Sequence, residues 1–442
     1  MSINLEEVVK RAAKAHGVPG ASVAVLKGQE IVSQVATGVV NRNTRVRATT
    51  DTVFQIGSIT KTFTASMIMQ LRDEGRLELD DVVVKHLPDF KNADMKRLRK
   101  VTLRQLLTHQ SGIDGDFFPR TDTGDRAIEE LLDKSVSLPF LFEPGTNYSY
   151  NNLGFSALGR VIEVLDQRSF DTSLDKRIFA PLEMHHALSR LEDNLRFRVA
   201  VGHLPDPQRA GRLMVPKVAY LSIGQKAAGS TPAMTASDLL KYAAVHKNNG
   251  VGLNGQRILT AKSVREMQKP QVRSNDKDWP WQVGMPWRLA KWGDLKVFGH
   301  PGGTVGQSSD LIICSEKDIA VVCLSNGGHG PNFSREVMAA VFDSMKVKMF
   351  MPPRPVKDFK IKPELFTGRF GNAAVTVDLT EENGQLMLAA TPPGFAGMPA
   401  KSAVGFINSR MAVINNLPID IGGARGQPCA WLRIGGRVLV RR

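Results

Sequence analysis

Cysteine is scarce in this 442-residue chain, occurring only as Cys314, Cys323 and Cys429. Two apolar runs carrying Cys314 and Cys323 are joined by Ser315-Glu316-Lys317-Asp318. A hairpin about that turn sets Cys314 opposite Ile319 or Ala320, which keeps the thiols apart, so no disulfide is expected. Acidic residues are also short, 43 against 58 Lys and Arg, leaving a formal net charge of +15. Such a balance suits an anionic partner in general, but the basic residues cluster only at Lys96-Arg97-Leu98-Arg99-Lys100 and in the Arg437–Arg442 tail. Without zinc-finger spacing or an RNA-binding aromatic signature beside them, no nucleic-acid partner is expected. No apolar run is long enough to span a membrane. Residues 1–17 read as an amphipathic helix lacking the apolar core of a leader, so the expectation is a soluble cytoplasmic protein with no membrane partner. G-x-S-x-G is absent, which excludes an α/β-hydrolase nucleophile elbow. Neither H-E-x-x-H nor another metal spacing occurs, and neither metal nor cofactor is expected.

What is present begins with β-patterned runs at Ala21–Leu26 and Glu30–Thr37 about Lys27-Gly28-Gln29, a hairpin. Helical periodicity dominates from about 60 to 265, most clearly in Thr62–Glu74, Leu103–Thr108, Arg126–Lys134, Leu153–Leu165 and Ala236–His246. Strand character returns in Trp281–Leu289, Leu295–Gly299, Ser308–Cys314 and Ile319–Ser325, ahead of a helix over Ser334–Met345. The sheet is thus split between the two ends of a region with a helical body inserted, an α+β architecture. Met351-Pro352-Pro353-Arg354-Pro355 marks a stiff linker. The short strand-like runs beyond Phe366 predict a small all-β unit, a barrel or sandwich. The expected division is a catalytic region over 1–348, a Pro-rich linker over 349–363 and the β unit over 364–442.

Three motifs carry chemistry. Ser58-Ile59-Thr60-Lys61 opens an apolar helix, and one helical turn sets a serine and a lysine on one face. The same S-x-x-K pattern occurs at Ser173 and Ser274. Ser274 lies in a polar loop ending at Trp279-Pro280, however, and Ser173 reads as an N-cap for Leu174–Leu182. Tyr150-Asn151-Asn152 is the one Y-x-N among four tyrosines. Flanking cations favour a phenolate there, which can serve as a base, and Asn152 could equally cap the following helix. His300-Pro301-Gly302-Gly303-Thr304 follows a strand, and proline in a strand points to an open edge. With that edge open, the Gly303 amide faces a cleft and can join the Ser58 amide in an oxyanion hole.

In order and context these motifs resemble the serine β-lactamase-like family, which groups class C β-lactamases, family VIII carboxylesterases, DD-peptidases and D-aminopeptidases. Val18-Pro19-Gly20-Ala21, Phe54-Gln55-Ile56-Gly57-Ser58, Leu106-Leu107-Thr108-His109-Gln110-Ser111-Gly112, Pro144-Gly145-Thr146 and Gly299–Gly303 match its landmarks over about residues 10–345. The resemblance implies the β-lactamase/DD-peptidase-like fold, an antiparallel sheet flanked by helices. It also implies Ser58 as acylated nucleophile, Lys61 as its amine partner, and Tyr150 as the group that takes the serine proton and returns it to the leaving group. Asn152 positions Lys61 and the substrate, His300 and Gly302 line the substrate site, and the amides of Ser58 and Gly303 hold the oxyanion. His109 belongs to a landmark that is chiefly structural.

One departure bears on substrate. Where classical β-lactamases and DD-peptidases carry K-T-G, this chain has His300-Pro301-Gly302, so a permanent cation becomes a titratable imidazole. That favours a neutral small-molecule ester or amide, with a carboxylesterase on small acyl esters as the leading reading. A D-aminopeptidase, amide hydrolase or acyltransferase, a catalytically weak β-lactamase, and an inactive binding or scaffold protein are the alternatives. The stretch Trp279–Trp287 and the loop Gly112–Phe118 are candidate pocket walls, and the oligomeric state stays open.

Overall fold

The computed structural model describes residues 3–442 apart from 123, 275, 277–279, 351–352, 358, 394–397, 399, 416 and 425. Lys277 of the third S-x-x-K, Trp279 and the Met351-Pro352 step of the linker therefore lie outside the described residues.

Among the described residues, eight antiparallel strands form the main sheet, with the N-terminal hairpin Gly20–Lys27 and Glu30–Gly38 at one side. Gly20–Lys27 pairs with Ile319–Ser325, which pairs with Ser308–Cys314 and then with Leu295–Gly303. Ile319–Ser325 is buried at every residue, as its β-branched run requires of a strand covered on both faces. One face packs on helices Leu5–Ala15 and Gly330–Asp343 through Val9, Phe333 and Phe342. The other face packs on the helical body, whose centre is Thr60–Asp73, with only Gln70, Arg72 and Asp73 not fully inside. Cys314 faces Ile319 in the hairpin register, and all three cysteines are free.

The sequence-expected elements shift in three places. Trp281–Leu289 is two strands, Gln282–Val283 and Arg288–Trp292, separated by a turn in which Gly284 N–H donates to the Trp287 carbonyl and Pro286 offers no donor. Ser173 is not an N-cap. Ser169 caps Phe170–Leu174 instead, and Ser173 is buried within that helix. Asn151, not Asn152, caps Asn152–Asp166, its side chain accepting from Gly154 N–H at 2.8 Å.

Among the described residues from Gly368 onward, nine antiparallel strands form one sheet whose first strand, Gly368–Gly371, pairs with the last, Arg437–Arg441. Its two edge strands, Lys401–Ala403 and Gly405–Asn408, adjoin in sequence, so the sheet curls almost closed around Phe370, Leu388, Ile434 and Leu439. Pro355 and Val356 lie along this barrel, with Val356 N–H donating to the Phe406 carbonyl.

Candidate active site

Ser58 stands where the short strand Phe54–Gln55 turns through Gly57–Ile59 into the helix Thr60–Asp73. Gly57 has φ +52°, and a Cβ on it would come 2.5 Å from the Gly303 nitrogen. A Cβ on Gly302 would come 2.0 Å from the Ile56 carbonyl oxygen. Glycine at both points lets the end of Leu295–Gly303 press against the backbone that leads into the serine. Only Leu295–Gly299 of that strand pairs with Arg288–Trp292, so among the described residues no strand covers 300–303 on that side. The Gly303 backbone is exposed and adjoins Gly57, the neighbour of Ser58. This is the open-edge arrangement that the proline suggests in sequence.

One turn into the helix, Lys61 is fully buried. Its Nζ lies 3.1 Å from Ser58 Oγ, 2.7 Å from Asn152 Oδ1 and 2.7 Å from the Ala228 carbonyl oxygen. Burial holds its pKa well below the usual lysine range, with the Arg437 cation pushing the same way and the Asp116 carboxylate opposing. An amide oxygen and a carbonyl can only accept. When the amine is neutral, they take both its hydrogens and leave its lone pair for the Ser58 hydroxyl.

Tyr150 is hydrogen-bonded to Ser58, and its ring centroid lies 4.8 Å from Lys61 Nζ. The phenolate expected from flanking cations does not emerge. Burial drives the phenol above its ordinary pKa, and the Ser58 hydrogen bond and the charges of Arg437 and Arg288 offset this only in part. His109 backs the ring at 4.4 Å between centroids and accepts from Asn151 N–H at Nδ1. It is therefore neutral at that nitrogen and supports the Tyr150–Asn152 segment, as its landmark suggests.

His300 is buried, its ring 6.3 Å from that of Tyr150. Its Nδ1 is 2.6 Å from the Pro301 carbonyl oxygen, which only accepts, so Nδ1 carries the hydrogen and Nε2 is left as an acceptor. Burial, with Arg288 and Lys61 adding, keeps this imidazole far from protonation near neutrality. Position 300 thus presents a neutral acceptor where a lysine would present a cation. Trp287 is no pocket wall: it is fully buried against His246 and Phe298. Trp281 packs on Tyr148 at 5.2 Å.

The structure gathers Ser58, Lys61, Tyr150 and Asn152 into one hydrogen-bonded group, with Gly302, Gly303 and His300 beside it. Sequence reading missed Asp116, Arg437, Arg288 and the Ala228 carbonyl. Asn152 Nδ2 donates to Asp116 Oδ1 at 2.7 Å, and Arg437 Nε pairs with Asp116 Oδ2. Arg437 comes from the C-terminal barrel, its guanidinium 4.7 Å from the Tyr150 ring centroid. The Gly435-Gly436 turn beside it accepts Tyr150 N–H at the Gly436 carbonyl, 2.8 Å away. The only signals for these residues were an Asp114-Gly115-Asp116 step in the Gly112–Phe118 loop and a glycine pair ahead of the basic tail.

The β-lactamase family model matches residues 5–343. Penicillin-binding protein 4 of Amycolatopsis lactamdurans is 35% identical over 362 residues, spanning 79% of this chain and 92% of that protein. Among solved structures, SurE superposes with a TM-score of 0.78 at 23% identity over 99% of this chain and 98% of that one. D-amino acid amidase from Ochrobactrum anthropi SV3, complexed with L-phenylalanine, gives a TM-score of 0.65 at 23% identity over 77% of this chain and 98% of that one.

Proposed function

The chain belongs to the β-lactamase family of serine hydrolases, and on that premise we propose that it moves the acyl group of a small carboxylic ester or amide onto Ser58 and then to water. The observation that carries this reading is the Lys61 amine, held by two pure acceptors with its third direction on Ser58 Oγ. Lys61 takes the Ser58 hydroxyl proton as Oγ bonds to the substrate carbonyl carbon. The amides of Ser58 and Gly303 hold the resulting oxyanion. Collapse breaks the bond to the leaving group, which receives a proton from the Tyr150 hydroxyl, and the Lys61 ammonium reprotonates Tyr150. Water repeats the sequence on the acyl-enzyme. Lowered lysine and raised tyrosine proton affinities support this division of labour, with Lys61 as base and Tyr150 as acid.

Small acyl esters lead the substrate reading, because His300 is a neutral acceptor and greets no carboxylate. D-aminoacyl amides come second, favoured by the resemblance to a D-amino acid amidase structure and by an acceptor at His300 that suits a substrate N–H. A fluorophosphonate probe is expected to label the wild-type protein and not Ser58→Ala; equal labelling of both removes the nucleophile assignment. Turnover of short-chain p-nitrophenyl esters, D-aminoacyl amides and nitrocefin then ranks the substrates, with esters expected first. Nitrocefin as the best of the three would overturn the ester reading.

A further inference from the structure

We propose that Arg437 and Asp116 are positioning residues through which the C-terminal barrel sets Lys61 for attack by Ser58, an inference that rests on the function proposed above. The path is a continuous chain of contacts. Arg437 Nε meets Asp116 Oδ2, Asp116 Oδ1 accepts from Asn152 Nδ2, and Asn152 Oδ1 accepts from Lys61 Nζ, which reaches Ser58 Oγ.

Direction is what makes this chain act. A guanidinium only donates and a carboxylate only accepts. The Asp116 carboxylate therefore draws the NH2 of Asn152 and turns the amide oxygen toward Lys61. Without that carboxylate the amide is free to flip, and an NH2 facing the lysine would take its lone pair or repel its hydrogens. The carboxylate is itself buried, with a side-chain exposure of 1% against 16% for Arg437. A buried charge without its partner is costly, and Arg437 is the partner that holds Asp116 in place. The barrel turn that carries Arg437 is in turn fixed to the Ser149–Tyr150 segment, since Gly436 accepts from Tyr150 N–H and Val438 N–H donates to Ser149 Oγ at 3.0 Å.

The pair also balances charge. Lys61 faces Tyr150, His109 and His300 along with Asp116, Arg437 and Arg288. Asp116 raises the lysine proton affinity and Arg437 lowers it. Held together they orient the amine with little net change in its charge state, whereas removal of either one alone tilts it.

The test is the pH dependence of kcat and kcat/KM for a short-chain p-nitrophenyl ester in the full chain. Asp116→Asn and Arg437→Ala are each expected to lower kcat by about tenfold or more while KM changes less. The acid limb of kcat/KM is expected to move to lower pH in Asp116→Asn and to higher pH in Arg437→Ala. Arg437→Lys should recover part of kcat, and Arg369→Ala, in an exposed ion pair of the same barrel, should match wild type. If Arg437→Ala does not fold, Arg437→Gln, which keeps a donor without the charge, is read instead, with the same limb shift and a smaller loss of kcat. Limbs that stay put, or move together, overturn the proposal. Ser58 labelling separates the two failures: loss of label in Ser58→Ala alongside unmoved limbs rejects the positioning chain alone, while label retained in Ser58→Ala rejects the nucleophile itself.

Discussion

Two side chains of unlike chemistry, Lys61 and Tyr150, are pushed by the same burial to be neutral, and their roles follow. A neutral amine is a base and a neutral phenol an acid, so the two shifts equip the site for both forms of general catalysis. This makes Tyr150→Phe a selective lesion. A p-nitrophenolate leaves without a proton, whereas an amine must receive one. Tyr150→Phe is expected to reduce p-nitrophenyl ester turnover by less than about tenfold and amide turnover by about 10²–10³-fold, read as the ratio of kcat/KM for the two substrates. Equal losses would mean that Tyr150, not Lys61, takes the serine proton. Lys61 carries a second consequence in the sign of its shift: its amine must be deprotonated to act, so activity rises with pH through a lysine pKa held well below the ordinary range.

Among elements, the strand Leu295–Gly303 and the turn Gly57–Ile59 form one unit, because two glycines let backbone meet backbone. Gly57→Ala would put a methyl 2.5 Å from the Gly303 nitrogen at a φ of +52°. The expected result is a kcat loss of about 10²–10³-fold, the usual effect of losing an oxyanion donor, with KM changed less. Unimpaired kcat in a folded Gly57→Ala protein would show that Gly303 does not serve the oxyanion. Much of this unit was legible in sequence, since a glycine before a helix-opening serine and a proline in a strand are local signals with local causes. Ser308–Cys314 and Ile319–Ser325 were equally legible because their apolar runs end at a polar turn. In sequence either asparagine can accept from a helix N-terminus; in the structure Asn151 caps, and Asn152 is engaged by Lys61 and Asp116 instead. Asp116 and Arg437 could not be paired from sequence. Their contact joins positions 321 residues apart, across two separately packed cores, and no local pattern records such an approach.

At the scale of the whole molecule, the basic tail serves the chain's own carbonyls and carboxylates. Arg441 donates to the carbonyls of Cys429 and Thr367 at 2.6 and 2.8 Å, Arg442 to that of Asn372 at 3.0 Å, and Arg437 pairs with Asp116. The barrel and the helical body also meet at Asp114, whose Oδ2 accepts from Ala373 N–H at 2.6 Å. Burial, with the nearby Asp116 charge adding, pushes the Asp114 pKa up to about 7. The folded protein therefore holds a proton there that the unfolded chain has released once the pH passes the ordinary carboxylate range. Folding takes up this proton between about pH 4 and 7, so stability declines as pH rises through that window and is flat above it. Asp114→Asn keeps an acceptor for Ala373 and removes the ionisation. It is expected to be more stable than wild type by up to about 4 kcal/mol at pH 8, with little difference at pH 4, and to lose this part of the pH slope. Chemical denaturation of both proteins at the two pH values measures this directly. Parallel stability curves would mean that Asp114 is already ionised at the junction, and that the proton affinity of the joint between barrel and body is set elsewhere.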